Sequence, residues 1–275
     1  MTDARSFVVR QHPDRDVFLR VSGEQHGLEK LNMVAMSLAT GKKFALATNQ
    51  YSYGAVILGG VCDIRTSQGT FADVGRRTDV FTGMPYAIYL PPNTDFEIES
   101  LSDDFQFASC WATTSSAAPL RLIRPHEVPV RLSAVGRVSV QTNTILEGEL
   151  SMWEMYVPAA NWAHFPPQAA AASDALLLCK QDRLTGFAMH RLYDDRTDTA
   201  LVSSHNDLVI VPRGVHHTMV SSPLGATYVL GMSAGSAAYT QDGRYAWYSR
   251  VHGNAAPDPR LPIVDIGMEP NEDEA

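Results

Sequence analysis

Apolar residues in this chain come in short runs closed by Gly, Pro, Asn or Asp. Ala55-Val56-Ile57-Leu58 ends at Gly59-Gly60, and Tyr86-Ala87-Ile88-Tyr89-Leu90 ends at Pro91-Pro92-Asn93. Phe96-Glu97-Ile98-Glu99 alternates with period two. Residues 33–38 and 44–47 are mostly apolar and lack helix caps. Strand signals resume at 138–142, 150–157, 175–179, 187–193, 208–211 and 227–232, and Phe7-Val8-Val9 and Val17-Phe18-Leu19 read as short edge strands. Short strands with turn signals about every 8–12 residues predict a β-sandwich or barrel.

The sharpest stretch is His205-Asn206-Asp207-Leu208-Val209-Ile210-Val211-Pro212-Arg213-Gly214-Val215-His216-His217. A buried strand, a stiff Pro-x-Gly bend and a following His resemble the second half-motif of a cupin barrel. A weak repeat supports two such barrels. Ala87-Ile88-Tyr89-Leu90-Pro91-Pro92-Asn93-Thr94-Asp95 has the same shape, and aligning Pro91 with Pro212 sets Asp95 opposite His216. The fold class expected is all-β, a bicupin of two tandem jelly-roll barrels. The expected divisions are 1–128 for a structural N-terminal barrel, 129–252 for a C-terminal barrel with the active site, and 253–275 for an acidic tail. The first half holds only His12, His26 and His126, all outside its strand-rich part, so the chemistry is expected in the second barrel.

Composition narrows the function. The formal net charge is −8 and no basic block stands out, which argues against nucleic acid. Cys62, Cys110 and Cys179 are far apart and odd in number, with no CxxC, so neither a disulfide framework nor a thiolate zinc site is expected. No run of about 18 apolar residues suggests a membrane span. A cytoplasmic protein that binds a small-molecule substrate is expected. Exposed strand edges point to a homo-oligomer.

Segments spread along the chain resemble the 5-deoxyglucuronate isomerases of inositol catabolism, relatives of the 4-deoxy-uronate ketol isomerases. They are Val74-Gly75-Arg76-Arg77-Thr78-Asp79-Val80-Phe81, Met84-Pro85-Tyr86, Asn161-Trp162 with Phe165-Pro166-Pro167, Arg191-Leu192-Tyr193-Asp194-Asp195-Arg196, Val211-Pro212-Arg213-Gly214-Val215-His216 and Met232-Ser233-Ala234-Gly235. The resemblance implies a bicupin that interconverts an aldose and a ketose of a uronate-like sugar. It also implies a divalent metal held by His-x-His after the Pro-Pro, a Glu shortly beyond, and a His after Pro-Arg-Gly-x. In this chain those places fall on Gln168, Ala170, Asp174 or Ala175, and His216. Ala cannot ligate and a neutral Gln carbonyl is a poor ligand, so the expectation is no metal and no other cofactor.

The expected reading is a diverged enzyme of the isomerase type. It would carry out metal-independent acid–base chemistry (isomerisation, dehydration or cyclisation) on a small hydroxylated or carbonyl substrate. His216 and His190 are the expected catalytic residues. Gln168, Arg191, Tyr193, Tyr228 and His164 are the expected substrate-binding residues. His217, next to His216, is expected on the opposite face of its strand. Trp162 reads as a structural plug and Cys179 as a packed thiol. Two alternatives stand beside this reading. One is a metal-dependent sugar-acid isomerase with a site rebuilt from His164, His190, His216 and His217, and the other is a non-catalytic binding bicupin.

Overall fold

The computed structural model describes residues 7–12, 16–115, 118–135, 138–170, 173–235 and 239–248. The acidic tail expected at 253–275 lies outside them. The first half contributes β1 (Val8–Val9), β2 (Val17–Val21), β3 (Asn32–Leu38), β4 (Lys43–Ala47), β5 (Tyr51–Gly59), β6 (Val61–Thr66), β7 (Gly69–Gly75), β8 (Ala87–Leu90), β9 (Asp95–Ser100), β10 (Phe105–Thr113) and β11 (Arg121–Ile123). The second half contributes β12 (Val130–Val135), β13 (Val138–Leu146), β14 (Ser151–Val157), β15 (Trp162–Ala170), β16 (Ala175–Gln181), β17 (Ala188–Tyr193), β18 (Asp198–Ser203), β19 (Asp207–Val211), β20 (His216–Ser221), β21 (Thr227–Ser233) and β22 (Tyr239–Gln241). No helix among the described residues is long and apolar enough to cross a membrane.

The strands form four sheets in two facing pairs. The first pair is β11-β8-β5-β10-β3-β2 over β4-β9-β6-β7, and the second is β1-β19-β16-β21-β14-β13-β12 over β18-β17-β20-β15-β22. This is the bicupin architecture. The repeat read from the sequence is visible in it: β8 to β9 and β19 to β20 both cross from the larger sheet of a pair to the smaller one. The N-terminal strand departs from its expected place in the first barrel. Val8 and Val9 pair with Val209 and Leu208 on β19, so this arm extends the second barrel's larger sheet.

Burial explains the two sequence patterns. The larger sheets are covered on both faces, so β5, β16, β19 and β21 are nearly continuous apolar runs. The smaller sheets face solvent on one side. Accordingly β9 and β17 alternate buried with more exposed residues. One core lies between the larger sheets of the two barrels, where Met33, Val56 and Leu58 meet Met152, Leu176 and Leu230. The interior of the first barrel is filled with aromatic rings. Tyr53 packs on Phe96 at 4.9 Å and Phe105 on Phe107 at 5.7 Å between centroids.

A buried polar network joins the barrels through that shared core. Arg77 donates from Nη2 to Glu154 Oε1 at 2.7 Å and from Nε to the Ile57 carbonyl at 3.0 Å. Tyr228 donates to the same Glu154 oxygen at 2.8 Å, and Tyr156 and Asn143 donate to the other at 3.0 and 3.2 Å. Glu154 is fully buried and Arg77 is 6% exposed, so every charge here depends on its partners. Burial opposes the Arg77 charge most strongly, but Glu154 together with Tyr156 and Tyr228 outweighs it and raises the guanidinium pKa. Burial and the nearby carboxylate push the Tyr228 hydroxyl well up. Tyr228, expected among the substrate-binding residues, is therefore a structural hydroxyl in the interbarrel core.

Candidate active site

The second barrel holds a cavity of about 520 Å³ between its two sheets. Its lining is mixed. Leu132, Val140, Trp153, Met155 and Phe165 are apolar, and Thr142, Thr144, Ser151, Gln168, Tyr239, Gln241 and His164 carry hydrogen-bonding groups. Arg131 and Glu147 add one charge of each sign. A concave wall that mixes apolar and hydrogen-bonding groups suits a small polar ligand. Burial raises the pKa of Tyr239, keeping that hydroxyl protonated and able to donate.

Strand register decides which side chains face this space. On β15, Gln168 pairs with His217 of β20 and with Gln241 of β22. Directly paired residues of an antiparallel ladder share a face. His217 therefore points inward with Gln168, and its neighbour His216 points outward. On β17, His190 and Leu192 take the inward face, while Met189 and Arg191 are exposed on the outer one.

His164 reaches the interior by a backbone irregularity. The register of β15 breaks between Ala163 and Gln168, and His164 has φ 53, in the left-handed region. This region is uncommon for residues other than Gly and turns the side chain out of simple alternation. Ala163 is in the core, so a regular strand would have sent His164 to the other face.

The inward histidines form a linear chain. His164 Nδ1 lies 3.0 Å from His217 Nδ1, and His217 Nε2 lies 2.9 Å from His190 Nδ1. His190 Nε2 lies 2.8 Å from Ser203 Oγ and 4.0 Å from Cys179 Sγ. The His164 ring also stacks on Tyr239, with 6.1 Å between centroids. Desolvation lowers all three imidazole pKa values, to about 4 for His164 and about 3 for His190, and well below the ordinary value for His217. Burial pushes the Cys179 thiol up to about 12, so it is a packed thiol rather than a thiolate.

The remaining candidates lie elsewhere. His216, Arg191 and Tyr193 occupy the outer face of the smaller sheet and do not line the cavity. His216 stacks on Tyr193 with centroids 5.1 Å apart and rings 11° from parallel. The Arg191 guanidinium covers that ring at 4.4 Å and pairs with Asp198 through two bonds of 2.9 and 2.7 Å. Tyr193 donates to Asp242 at 2.6 Å. The Asp242 carboxyl is held below its usual range by Arg244 and then by Tyr193, with burial opposing. Arg213 pairs with Glu29 and Asp207 with Arg10. Trp162, expected to be a plug, is 45% exposed, because its strand turns it to the outer face.

The metal-ligand places implied by the resemblance do not assemble a metal centre. Gln168 and Ala170 share the inward face, but His216 is outside the barrel. Asp174 accepts from the backbone N–H groups of Glu29 and Arg213, at 3.0 and 2.9 Å. The inward histidines do not substitute. His217 presents Nδ1 to one neighbour and Nε2 to the other, and one ring cannot aim both nitrogens at one ion. Among the described residues, no three His, Cys, Asp or Glu side chains are grouped to hold a metal. The residues present do not fit the divalent ion.

Comparison with known proteins gives a consistent picture. A model of the KduI/IolB family matches residues 7–248. A 5-deoxy-glucuronate isomerase of Geobacillus thermodenitrificans is 30% identical over 251 residues, spanning 83% of this chain and 89% of that protein. One from Geobacillus kaustophilus is 31% identical over 234 residues, spanning 79% and 84%. Among solved structures, an IolB-like protein from Salmonella typhimurium LT2 superposes with a TM-score of 0.83 at 22% identity, covering 89% of this chain and 99% of the other. An oxalate decarboxylase of Bacillus subtilis has the same fold at a TM-score of 0.66 and 13% identity, covering 88% and 80%.

Proposed function

The chain belongs to the KduI/IolB family, and from that premise we propose that it is an isomerase that moves a proton within a small hydroxylated carbonyl substrate without a metal. The substrate sits in the second-barrel cavity, and His164 is the acid–base group. The relatives named as 5-deoxy-glucuronate isomerases support the reaction class, and the mixed polar lining supports a hydroxylated substrate.

One observation carries the metal-free reading. At the places where the resemblance sets ligands, this chain offers an amide, a methyl group, Asp174 or Ala175 with the Asp174 carboxylate bonded to backbone N–H groups, and an outward-facing imidazole, while its inward histidines bond to one another. Interconversion of neighbouring carbonyl and hydroxyl carbons needs a base beside the C–H, an acid for the oxygen, and donors for the developing oxyanion. His164 is a neutral base at ordinary pH because burial disfavours its charged form. Gln168 and Tyr239 are cavity donors that can meet an oxyanion. Arg131 is the cationic lining group that can pair with a substrate carboxylate.

The test is a set of reactions in deuterated water with 5-deoxyglucuronate and related hydroxylated aldehydes and ketones. Deuterium should appear on the carbon next to the carbonyl, persist with a chelator present, and vanish in His164→Gln. Turnover of 5-deoxyglucuronate itself should be weak. Fast, chelator-sensitive turnover of that compound would overturn the reading and restore a metal-dependent isomerase.

A further inference from the structure

The outer face of the smaller sheet in the second barrel carries a row of apolar side chains. Val202 pairs with Met189, Met189 with Val220, and Val220 with Trp162, across β18, β17, β20 and β15. Directly paired residues of an antiparallel ladder share a face. Val202, Met189 and Trp162 are exposed there, and Val220 is half-buried. Leu184 and Leu224 are exposed in the β16–β17 and β20–β21 connections, which are joined by the bond from the Ser222 N–H to the Phe187 carbonyl.

The first barrel serves as an internal control. Its smaller sheet is the counterpart of this one in the repeat, since β8 crosses to β9 as β19 crosses to β20. The outer face there is ionic. Lys43, Arg65, Asp63, Glu97 and Glu99 lie side by side on β4, β6 and β9. Lys43 and Arg65 both pair with Glu97 at 3.0 Å. Exposed pairs of this kind suit a solvated face. Two equivalent faces of one fold therefore differ in kind. A contiguous apolar row on an open sheet gains by being covered, and such patches mark interaction sites.

We propose that two copies of this chain pack through this face, sheet against sheet. Three features select a second copy. The row crosses an open sheet surface, whereas a small ligand takes a concave site. The charges beside the row cancel in place, Arg191 with Asp198 and Arg244 with Asp242, both at 2.7 Å. Nucleic acid or an anionic lipid surface would call for a basic excess. A twofold axis sets the same patch on both partners, so an apolar row with a self-neutral rim is complementary to itself. The extent also fits. Five strands about 4.8 Å apart and about six residues long make a face roughly 20 Å on a side. Side-chain relief and the two loop leucines bring its accessible surface to the order of 800 Å², the share each partner buries in a standard interface. The association uses a sheet face, not the strand edges from which an oligomer is expected in the sequence. It also covers the back of the strands whose inner face carries His217 and His190.

The experiment is sedimentation velocity on the full chain over a range of concentrations, with circular dichroism as the check of folding. The wild type should sediment at twice the chain mass. Met189→Glu places a charge in the middle of the row and should weaken association on the order of 100-fold, as loss of a central interface residue does. Val202→Lys should act in the same direction and stands in if Met189→Glu does not fold. Met189→Leu should keep the dimer. Ala45→Glu, on the exposed β4 strand of the first barrel, should leave it unchanged. A wild type that stays monomeric at every concentration would overturn the proposal, whether the row is then solvated or covered by another part of the chain. A dimer that survives both Met189→Glu and Val202→Lys would overturn it as well. The readout needs no turnover and does not depend on the isomerase assignment.

Discussion

The Nδ1 atoms of His164 and His217 lie 3.0 Å apart and tie an irregular residue of β15 to the regular strand β20. This contact places one imidazole on the cavity wall with two more behind it. Replacing His164 by Gln keeps a polar side chain of similar reach but removes the ring base. Turnover should fall on the order of 10²–10⁴-fold, the range for losing a general acid–base group. The fold should survive, which circular dichroism and the urea midpoint would check.

Stability should fall on mild acidification. The histidine pKa values are lowered in the folded chain, to about 4 for His164 and about 3 for His190, while the unfolded value is near 6.5. Above about pH 6.5 both states are neutral and the full stability is present. As the pH drops below that, the unfolded chain binds protons that the folded chain refuses, at up to about 1.4 kcal/mol per pH unit for each group. The urea midpoint should therefore hold above about pH 6.5, decline from there down to about pH 4, and decline less in His190→Asn. A midpoint independent of pH in both proteins would contradict the burial argument.

The link between the barrels should be sensitive to half-removal. Arg77→Met leaves Glu154 charged and buried with only neutral donors. Breaking one partner of a buried pair costs roughly 3–5 kcal/mol. The double variant Arg77→Met with Glu154→Gln should recover part of that loss, because no unpaired charge remains. Equilibrium unfolding of the two single variants and the double variant measures the coupling.

Gly231 and Trp153 pair across β21 and β14, and a Cβ on Gly231 would lie 2.1 Å from the indole. Trp153 is part of the cavity wall. Gly231→Ala must push the ring aside, at a cost of about 1–3 kcal/mol for overpacking. The tryptophan emission should shift, and ligand affinity should change with it, which calorimetry or fluorescence titration can follow.

The strands and the bicupin plan were readable because apolar runs and turn residues are local signals. Leu208-Val209-Ile210-Val211 and its echo at 87–90 announced equivalent strands, and both are present as β19 and β8. The facing of single side chains was less accessible. His216 and His217 differ by one position, and a one-residue change of register exchanges inside for outside. The inward one was fixed by its pairing with Gln168, which no local pattern reveals. Two prolines make Phe165-Pro166-Pro167 a poor strand sequence, yet β15 runs through it with a register break, and that break delivers His164. Val8 and Val9 read correctly as an edge strand, but their partner lies about two hundred positions away. The Arg77–Glu154 pair spans 77 positions and had no sequence signal beyond the residue types.

The proton chemistry proposed for this family member needs no bound divalent ion. The most direct measurement is elemental analysis of the purified, untagged protein before any metal is added. The account predicts metal well below one equivalent per chain. One equivalent of zinc, manganese, iron or nickel would contradict it and would assign the inward histidines to a metal site.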